Sequence, residues 1–247
     1  MSRPQILGLD IDGVLADFVG GFNRLAHRLT GKPLPAEPEC WDYFLLHGYT
    51  QDEVEGVWHH IYEHPEWWLT LRPLVGHLYF PLGAVIYYVT NRPLRKGVHE
   101  ATEAWLRQHI SPRGSLVMTR RKGEAASALH LARFIDDRPE NLSEILDVRK
   151  GRTKLTLQRR PWNVEAQAQW RTVGGVEEWL GGGNDGGDTS ETQGRVGAPT
   201  GEGLQGRGGN GGPSRAAHGH QQAYAPRGCW PEGCGAALAG KGGLRGG

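Results

Sequence analysis

Asp10 and Asp12 close the apolar run QILGL, and Gly13 follows them. Two acids at the end of a strand make a poor core and a good seat for a metal and a nucleophile. In an open α/β sheet, ligands bind outside the carboxyl ends of the strands, which is where this pair would stand. Two crowded negative charges need partners, and candidates end three further apolar runs. These are Thr90 after AVIYYV, Lys122 after LVMTRR, and Asp136 with Asp137 after LARFI. Side chains alternate faces along a strand, so Asp10 and Asp12 are expected to leave theirs on the same side. Gly13 allows the backbone to turn without a Cβ penalty and lets a bulky anion approach.

The elements that would position these residues follow from periodicity. After the first strand, Phe18, Phe22, Leu25 and Leu29 form one apolar stripe on a helix ending near Gly31. Residues 32–49 are rich in proline and aromatics, Thr50 to Glu53 reads as a capping box, and Val54, Val57, Trp58 and Ile61 share a face of the helix it opens. Pro65 closes that helix. From Gly83 strands and helices alternate: a strand to Val89, a helix carrying Val98, Ala101, Trp105 and Leu106, a turn over Ser111–Gly114, and further strand and helix to about residue 147. KLTLQ at 154–158 makes a fifth strand and Val176–Leu180 a closing helix. This alternation predicts a parallel sheet covered on both faces, with right-handed crossovers. The stretch from about 19 to 75 is then an insertion after strand one, positioned to act as a lid over the carboxyl ends.

Composition separates a folded part from a tail. Of 38 glycines, 23 fall in residues 181–247, where Val196, Leu204, Leu238 and Leu244 are the only Leu, Val, Ile or Phe residues. Such a segment cannot bury enough apolar surface to offset the entropy of ordering and is expected to stay unfolded. A net charge of +1 gives no electrostatic case for a nucleic-acid polymer or an anionic membrane as partner. Three cysteines, only Cys40 outside the tail, make no disulfide framework and fit a reducing compartment. With no secretory segment ahead of the first strand and no apolar run of membrane-spanning length, the expectation is a soluble cytoplasmic protein.

DIDGVLADF, VTNRP, KGEAA and FIDDRPEN occur in that order, and by them the chain resembles the haloacid dehalogenase superfamily of phosphatases. GGF at 20–22, WWLTLRPLVG before the second strand and QRRPWN at 158–163 bring it nearer to the 5'(3')-deoxyribonucleotidases. The resemblance spans about residues 5–180. It implies a three-layer, Rossmann-like α/β core over 1–18 and 76–180, a small helical cap over 19–75, and Mg²⁺-dependent hydrolysis of nucleoside monophosphates. By the same resemblance Asp10 is the nucleophile and Asp12 the proton donor and acceptor. Asp10 and Asp136 are side-chain metal ligands, the Asp12 main-chain carbonyl is a third, and Asp137 orients a metal-bound water or the lysine. Thr90, Asn91 and Lys122 bind the phosphoryl group. The need for a cation also follows from physics, since a carboxylate meeting a phosphate at 4 Å is repelled by roughly 4 kcal/mol per pair of unit charges at an effective dielectric of 20. Mg²⁺ suits carboxylate and phosphate oxygens. Asn91 departs from the serine frequent in relatives, and Arg120 and Arg121 add a basic pair in which Arg120 could share the phosphate.

Simpler readings stand beside these. A lone DxD is usually a solvated turn, whereas Lys122 at a helix start opposes the helix dipole, which a structural choice would avoid. Asp136 beside Asp137 costs stability unless a cation is near, and Arg138 could be a plain salt-bridge partner. Trp41, Tyr43, Phe44, Trp58, Tyr62, Trp67 and Trp68 should mostly form the insertion's own core. Phe18, by the family pattern, and then Trp41 and Trp67 are the candidates to stack on a base. His218, His220, Cys229 and Cys234 have no recognisable zinc-module spacing. Two other functions remain open: a phosphatase of the same superfamily for another small phosphate monoester, and a non-enzymatic binding protein on the same fold. The sequence also leaves open whether the chain forms a homodimer.

Overall fold

The computed structural model describes residues 4–182 apart from Asp42. The glycine-rich stretch from 183, with the His218–Cys234 group, lies outside the described residues. Six parallel strands form one sheet: β1 (Ile6–Leu9), β2 (Val85–Thr90), β3 (Ser115–Met118), β4 (Arg133–Asp136), β5 (Lys154–Gln158) and β6 (Thr172–Val173). Their order is β3-β2-β1-β4-β5-β6. The helices after the first connection are α4 (Val98–His109), α5 (Lys122–Ala128), α6 (Pro139–Arg149) and α7 (Val176–Gly181). Among the described residues no helix is long and apolar enough to cross a membrane.

Successive strand residues enter different apolar clusters, as the two-residue pleat requires. Ile86, Tyr88 and Ile135 join Trp105, Leu106, Val176 and Trp179, while Val89 and Phe134 join Ala126, Leu142 and Ile145. Helices α4 and α7 therefore cover one face and α5 and α6 the other, which makes the three-layer α/β sandwich that the alternation predicts. The sixth strand was not legible in advance. Two residues long, it pairs Thr172 with Leu157 and Val173 with Gln158 and carries no periodicity of its own.

Between β1 and β2 the chain forms α1 (Phe18–Thr30), α2 (Tyr43–Leu46), α3 (Gln51–Glu63) and a 3-10 segment, Pro65–Thr70. The capping box is present: the Glu53 N–H donates to Thr50 Oγ1 at 3.2 Å and the Thr50 N–H to Glu53 Oε2 at 2.8 Å. Leu29 departs from the expected stripe on α1, being 46% exposed. It lies in the last turn before Gly31, which caps the helix in the left-handed conformation at φ +74°, and the packed face ends one turn earlier at Leu25 and Ala26. The two ends of this long connection are fastened together. The Asp17 N–H donates to the Arg72 carbonyl at 2.9 Å, the Leu74 N–H donates to the Leu15 carbonyl at 2.7 Å, and Ala16 bridges Pro73.

Candidate active site

The strand order reverses its direction of growth between β1 and β4, the switch point at which an open α/β sheet leaves a crevice. Asp10 follows β1, and its N–H extends the ladder to the Ile135 carbonyl at 3.0 Å. Asp136 ends β4, so the sheet itself sets the two acids side by side. Lys122, the first residue of α5, reaches in from beyond β3, and its Nζ lies 2.7 Å from Asp10 Oδ1 and 2.7 Å from Asp136 Oδ2. All three side chains are buried. Asp136 is fully partnered: Asn141 Nδ2 donates to both its oxygens, at 3.0 and 3.1 Å, and the Arg138 N–H donates to Oδ1 at 2.9 Å. Asp137 Oδ2 accepts from Trp162 Nε1 at 2.9 Å, while its Oδ1 is buried without a partner.

The electrostatics show what this arrangement lacks. Burial, and then the charge of Asp136, raise the Asp10 carboxyl well above the usual carboxylate range, with Lys122 opposing them. The same two causes push Asp137 up to about 7, against Lys122 and the Trp162 hydrogen bond. Burial alone would lower the Lys122 ammonium, but the Asp10 and Asp136 carboxylates raise it instead. Lys122 thus opposes the raising of both Asp10 and Asp137, with Arg138 adding to it at Asp137. Asp10, Asp136 and Asp137 each offer an oxygen within 4.8 Å of the others, a set of hard donors that fits a divalent cation such as Mg²⁺. The unpartnered Asp137 oxygen is a second sign of that fit. Gly13 is a third: at φ +83°, a Cβ on it would stand 2.3 Å from Asp137 Oδ2, so only glycine leaves the carboxylate its place.

Past the end of β1 at Leu9, Asp12 sits in a tight turn in which Leu15 and Ala16 both donate to the Ile11 carbonyl, at 2.7 and 2.8 Å. Its carboxylate is held by Arg92, with Nε to Oδ2 at 2.9 Å and Nη2 to Oδ1 at 2.8 Å, and its charge adds to those that raise Asp10. Thr90 is buried at the end of β2, where its Oγ1 accepts from the Arg92 N–H at 3.2 Å. Asn91 and Arg120 are exposed. Arg138 meets Glu140 at 3.5 Å and lies over the Trp41 ring at 5.1 Å. Phe18 and Trp67 are each 6% exposed and packed edge to face, with Trp41 stacked on Phe18 at 6.4 Å, half-buried and edge-on to Trp162.

Four site residues were not singled out from the sequence: Arg92, Asn141, Arg160 and Trp162. Arg160 Nε donates to the Gly13 carbonyl at 2.6 Å and so steadies the turn after β1. All four stand inside VTNRP, FIDDRPEN or QRRPWN, so the signal was present in strings already picked out for other residues.

The model of the family described as "5' nucleotidase, deoxy (Pyrimidine), cytosolic type C protein" matches residues 4–174. The chain belongs to this family. The matched range takes in every strand described above, and the match bears out the resemblance to the deoxyribonucleotidases. Solved structures are more distantly similar. A haloacid dehalogenase-like hydrolase from Streptococcus pneumoniae is 13% identical, with 72% of this chain and 98% of that one covered and a TM-score of 0.44. A subfamily IA hydrolase of the same superfamily from Geobacter sulfurreducens is 12% identical, with 72% and 95% covered and a TM-score of 0.44. No curated protein matches this chain.

Proposed function

We propose that this member of the 5'-nucleotidase family is a Mg²⁺-dependent phosphomonoesterase that hydrolyses nucleoside monophosphates, deoxyribonucleotides foremost, through a phospho-aspartate on Asp10. The observation that carries the reading is Lys122 bridging Asp10 and Asp136 at 2.7 Å in the switch-point crevice, with Asp137 Oδ1 buried beside them without a hydrogen-bond partner. Asp10, Asp136 and Asp137, with the Asp12 carbonyl, would hold the Mg²⁺, which when bound offsets the charge between carboxylate and phosphate.

In the first step an Asp10 oxygen forms a bond to phosphorus as the bond to the nucleoside oxygen breaks, and Asp12 gives its proton to that oxygen. In the second, water attacks phosphorus and gives a proton to Asp12 as the bond from Asp10 to phosphorus breaks, releasing phosphate. Lys122 places a positive charge at the nucleophile, and the Thr90 hydroxyl and Asn91 amide donate to phosphoryl oxygens. Catalysis of this kind is mostly positioning and electrostatics. Residues 19–75 act as a cap over the crevice, with residues 1–18 and 76–180 as the catalytic core. Phe18, Trp41 and Trp67 line the place of the base, where stacking is worth about 1–3 kcal/mol per base. The partner is thus a small nucleotide, neither a nucleic-acid polymer nor a membrane, and the setting is the cytosol.

One observation favours a second reading, a phosphatase for another small phosphate monoester: Phe18 and Trp67 already spend most of their surface on each other and on neighbouring rings. A panel of deoxynucleotides, ribonucleotides and sugar phosphates, each with and without Mg²⁺, separates the two. Preference for deoxynucleotides is expected. Equal turnover of all three classes removes the nucleotide claim, and no turnover of any removes the phosphatase.

A further inference from the structure

Arg92 is the most completely engaged cation in the neighbourhood of the site, and nothing in the reaction as written above uses it. Its side chain has no exposed surface. Two of its nitrogens hold the two oxygens of Asp12, and the third, Nη1, donates to Thr102 Oγ1 at 3.1 Å. Thr102 is itself fixed, its hydroxyl donating to the Val98 carbonyl at 2.7 Å within α4. The guanidinium carbon lies 4.5 Å from the centre of the Trp68 ring and 6.0 Å from that of Trp105, and Trp105 is held by its Nε1 donating to the Leu71 carbonyl at 2.8 Å. The guanidinium therefore has one orientation, set by α4, by Trp68 from the long connection and by Trp105. It transmits that orientation to Asp12, whose own attachment is a turn.

We infer that Arg92 is the positioning residue for Asp12: it holds the carboxylate at the angle from which it gives a proton to the departing nucleoside oxygen and takes one from water. The inference rests on the phosphatase reading above. A planar fork that meets both carboxylate oxygens fixes position and rotation together, which a lysine at one oxygen cannot do. Proton transfer to a leaving group demands that placement, and a positioned acid contributes about 10²–10⁴-fold to rate. A purely structural role, stapling the end of β2 to the turn after β1, would make no distinction between leaving groups. A positioning role does, because p-nitrophenolate departs as a stable anion with no proton, whereas a nucleoside alkoxide needs one.

The test measures kcat and KM of the full-length chain with Mg²⁺ on deoxythymidine 5'-monophosphate and on p-nitrophenyl phosphate, for the parent, Arg92→Met, Arg92→Lys and Thr102→Val. For Arg92→Met, kcat/KM on the nucleotide is expected to fall about 100-fold through kcat, with KM little changed, while kcat/KM on p-nitrophenyl phosphate stays within about threefold. Arg92→Lys should recover about tenfold of the nucleotide loss, and Thr102→Val should show the same selectivity at smaller amplitude. Should Arg92→Met fail to fold, which a thermal melt reveals, the lysine and valine variants carry the comparison. Equal proportional losses of kcat/KM on both substrates overturn the positioning role; kcat/KM is the comparison because it reports the step in which the leaving group departs, whereas the water step that Asp12 also serves is common to both. A parent chain inactive on both substrates overturns the phosphatase reading and this inference with it, and that failure is visible before any variant is made.

Discussion

Lys122 Nζ sits 2.7 Å from Asp10 Oδ1 and 2.7 Å from Asp136 Oδ2, so one buried ammonium is shared between the ends of β1 and β4. Removing one partner of a buried ion pair leaves the rest uncompensated, at a cost of about 3–5 kcal/mol. Lys122→Met should therefore lose about that much stability by urea titration in EDTA. Mg²⁺ should restore part of it, because the cation offsets the same two carboxylates. Activity should fall at least about 100-fold and stay low with Mg²⁺, since the charge on the transferring phosphoryl group is lost. A Lys122→Met variant as stable as the parent in EDTA would show that the bridge is not what holds these acids in place.

Asp10→Asn makes the complementary change. The amide keeps the shape and removes one of the like charges crowding Asp136 and Asp137. The variant should fold with a melting temperature close to the parent's and show no detectable turnover. Beryllium fluoride, which mimics an aspartyl-phosphate, should protect the parent from proteolysis in a Mg²⁺-dependent way and leave this variant unprotected. Normal activity in Asp10→Asn removes Asp10 from its role. Protection absent from the parent as well would favour a binding protein that keeps the fold without the chemistry.

The sheet was readable because its strands are apolar runs ended by functional residues: Asp10, Thr90 and Asp136 each stand at the edge of a run with β-branched or aromatic content. Lys122 was readable for the opposite reason, as a cation placed where a helix start disfavours one. The surroundings of Asp12 were not legible because β1 ends at Leu9 and the chain then enters a turn in which Val14 and Leu15 both donate to the Ile11 carbonyl, so no period carries through it. Arg92 was passed over because its role depends on Trp68, Trp105 and Thr102, which lie 10 or more positions away and meet it only in three dimensions. The residues of β6 could not be found from a pattern, since Thr172–Val173 contains only one full alternation. Sequence thus gave the order of the elements and the acids at their ends, and packing decided which side chains the acids meet.

Gly13→Ala tests the cradle directly. Its φ of +83° disfavours any residue with a Cβ, and that Cβ would stand 2.3 Å from Asp137 Oδ2, a buried group with little room to retreat. Left-handed strain costs about 1–2 kcal/mol, and displacement of Asp137 should weaken Mg²⁺ binding as well. The expected result is a lower melting temperature in EDTA together with a smaller Mg²⁺-induced rise than the parent shows. A variant with reduced stability and an undiminished Mg²⁺ response would separate the turn from the metal site.

The last prediction concerns pH without metal. Asp137 is pushed up to about 7 in the folded chain by burial and by the charge of Asp136, whereas an unfolded aspartate titrates near 3.9. Between those values the folded chain keeps a proton that the unfolded chain has released. The stability this contributes is full below about pH 4 and is lost as pH rises through about 7. Asp10, raised by burial and by Asp136, acts in the same direction. In EDTA the melting temperature should therefore decline between about pH 5 and pH 8, and Asp137→Asn should flatten much of that decline by removing the titrating group. Mg²⁺ favours the ionised carboxylates, so the rise in melting temperature it produces should grow over the same interval. Differential scanning calorimetry of both proteins, with EDTA and with Mg²⁺, measures all of this. A Mg²⁺ increment larger at pH 5 than at pH 8 would mean that the cation binds somewhere other than Asp10, Asp136 and Asp137.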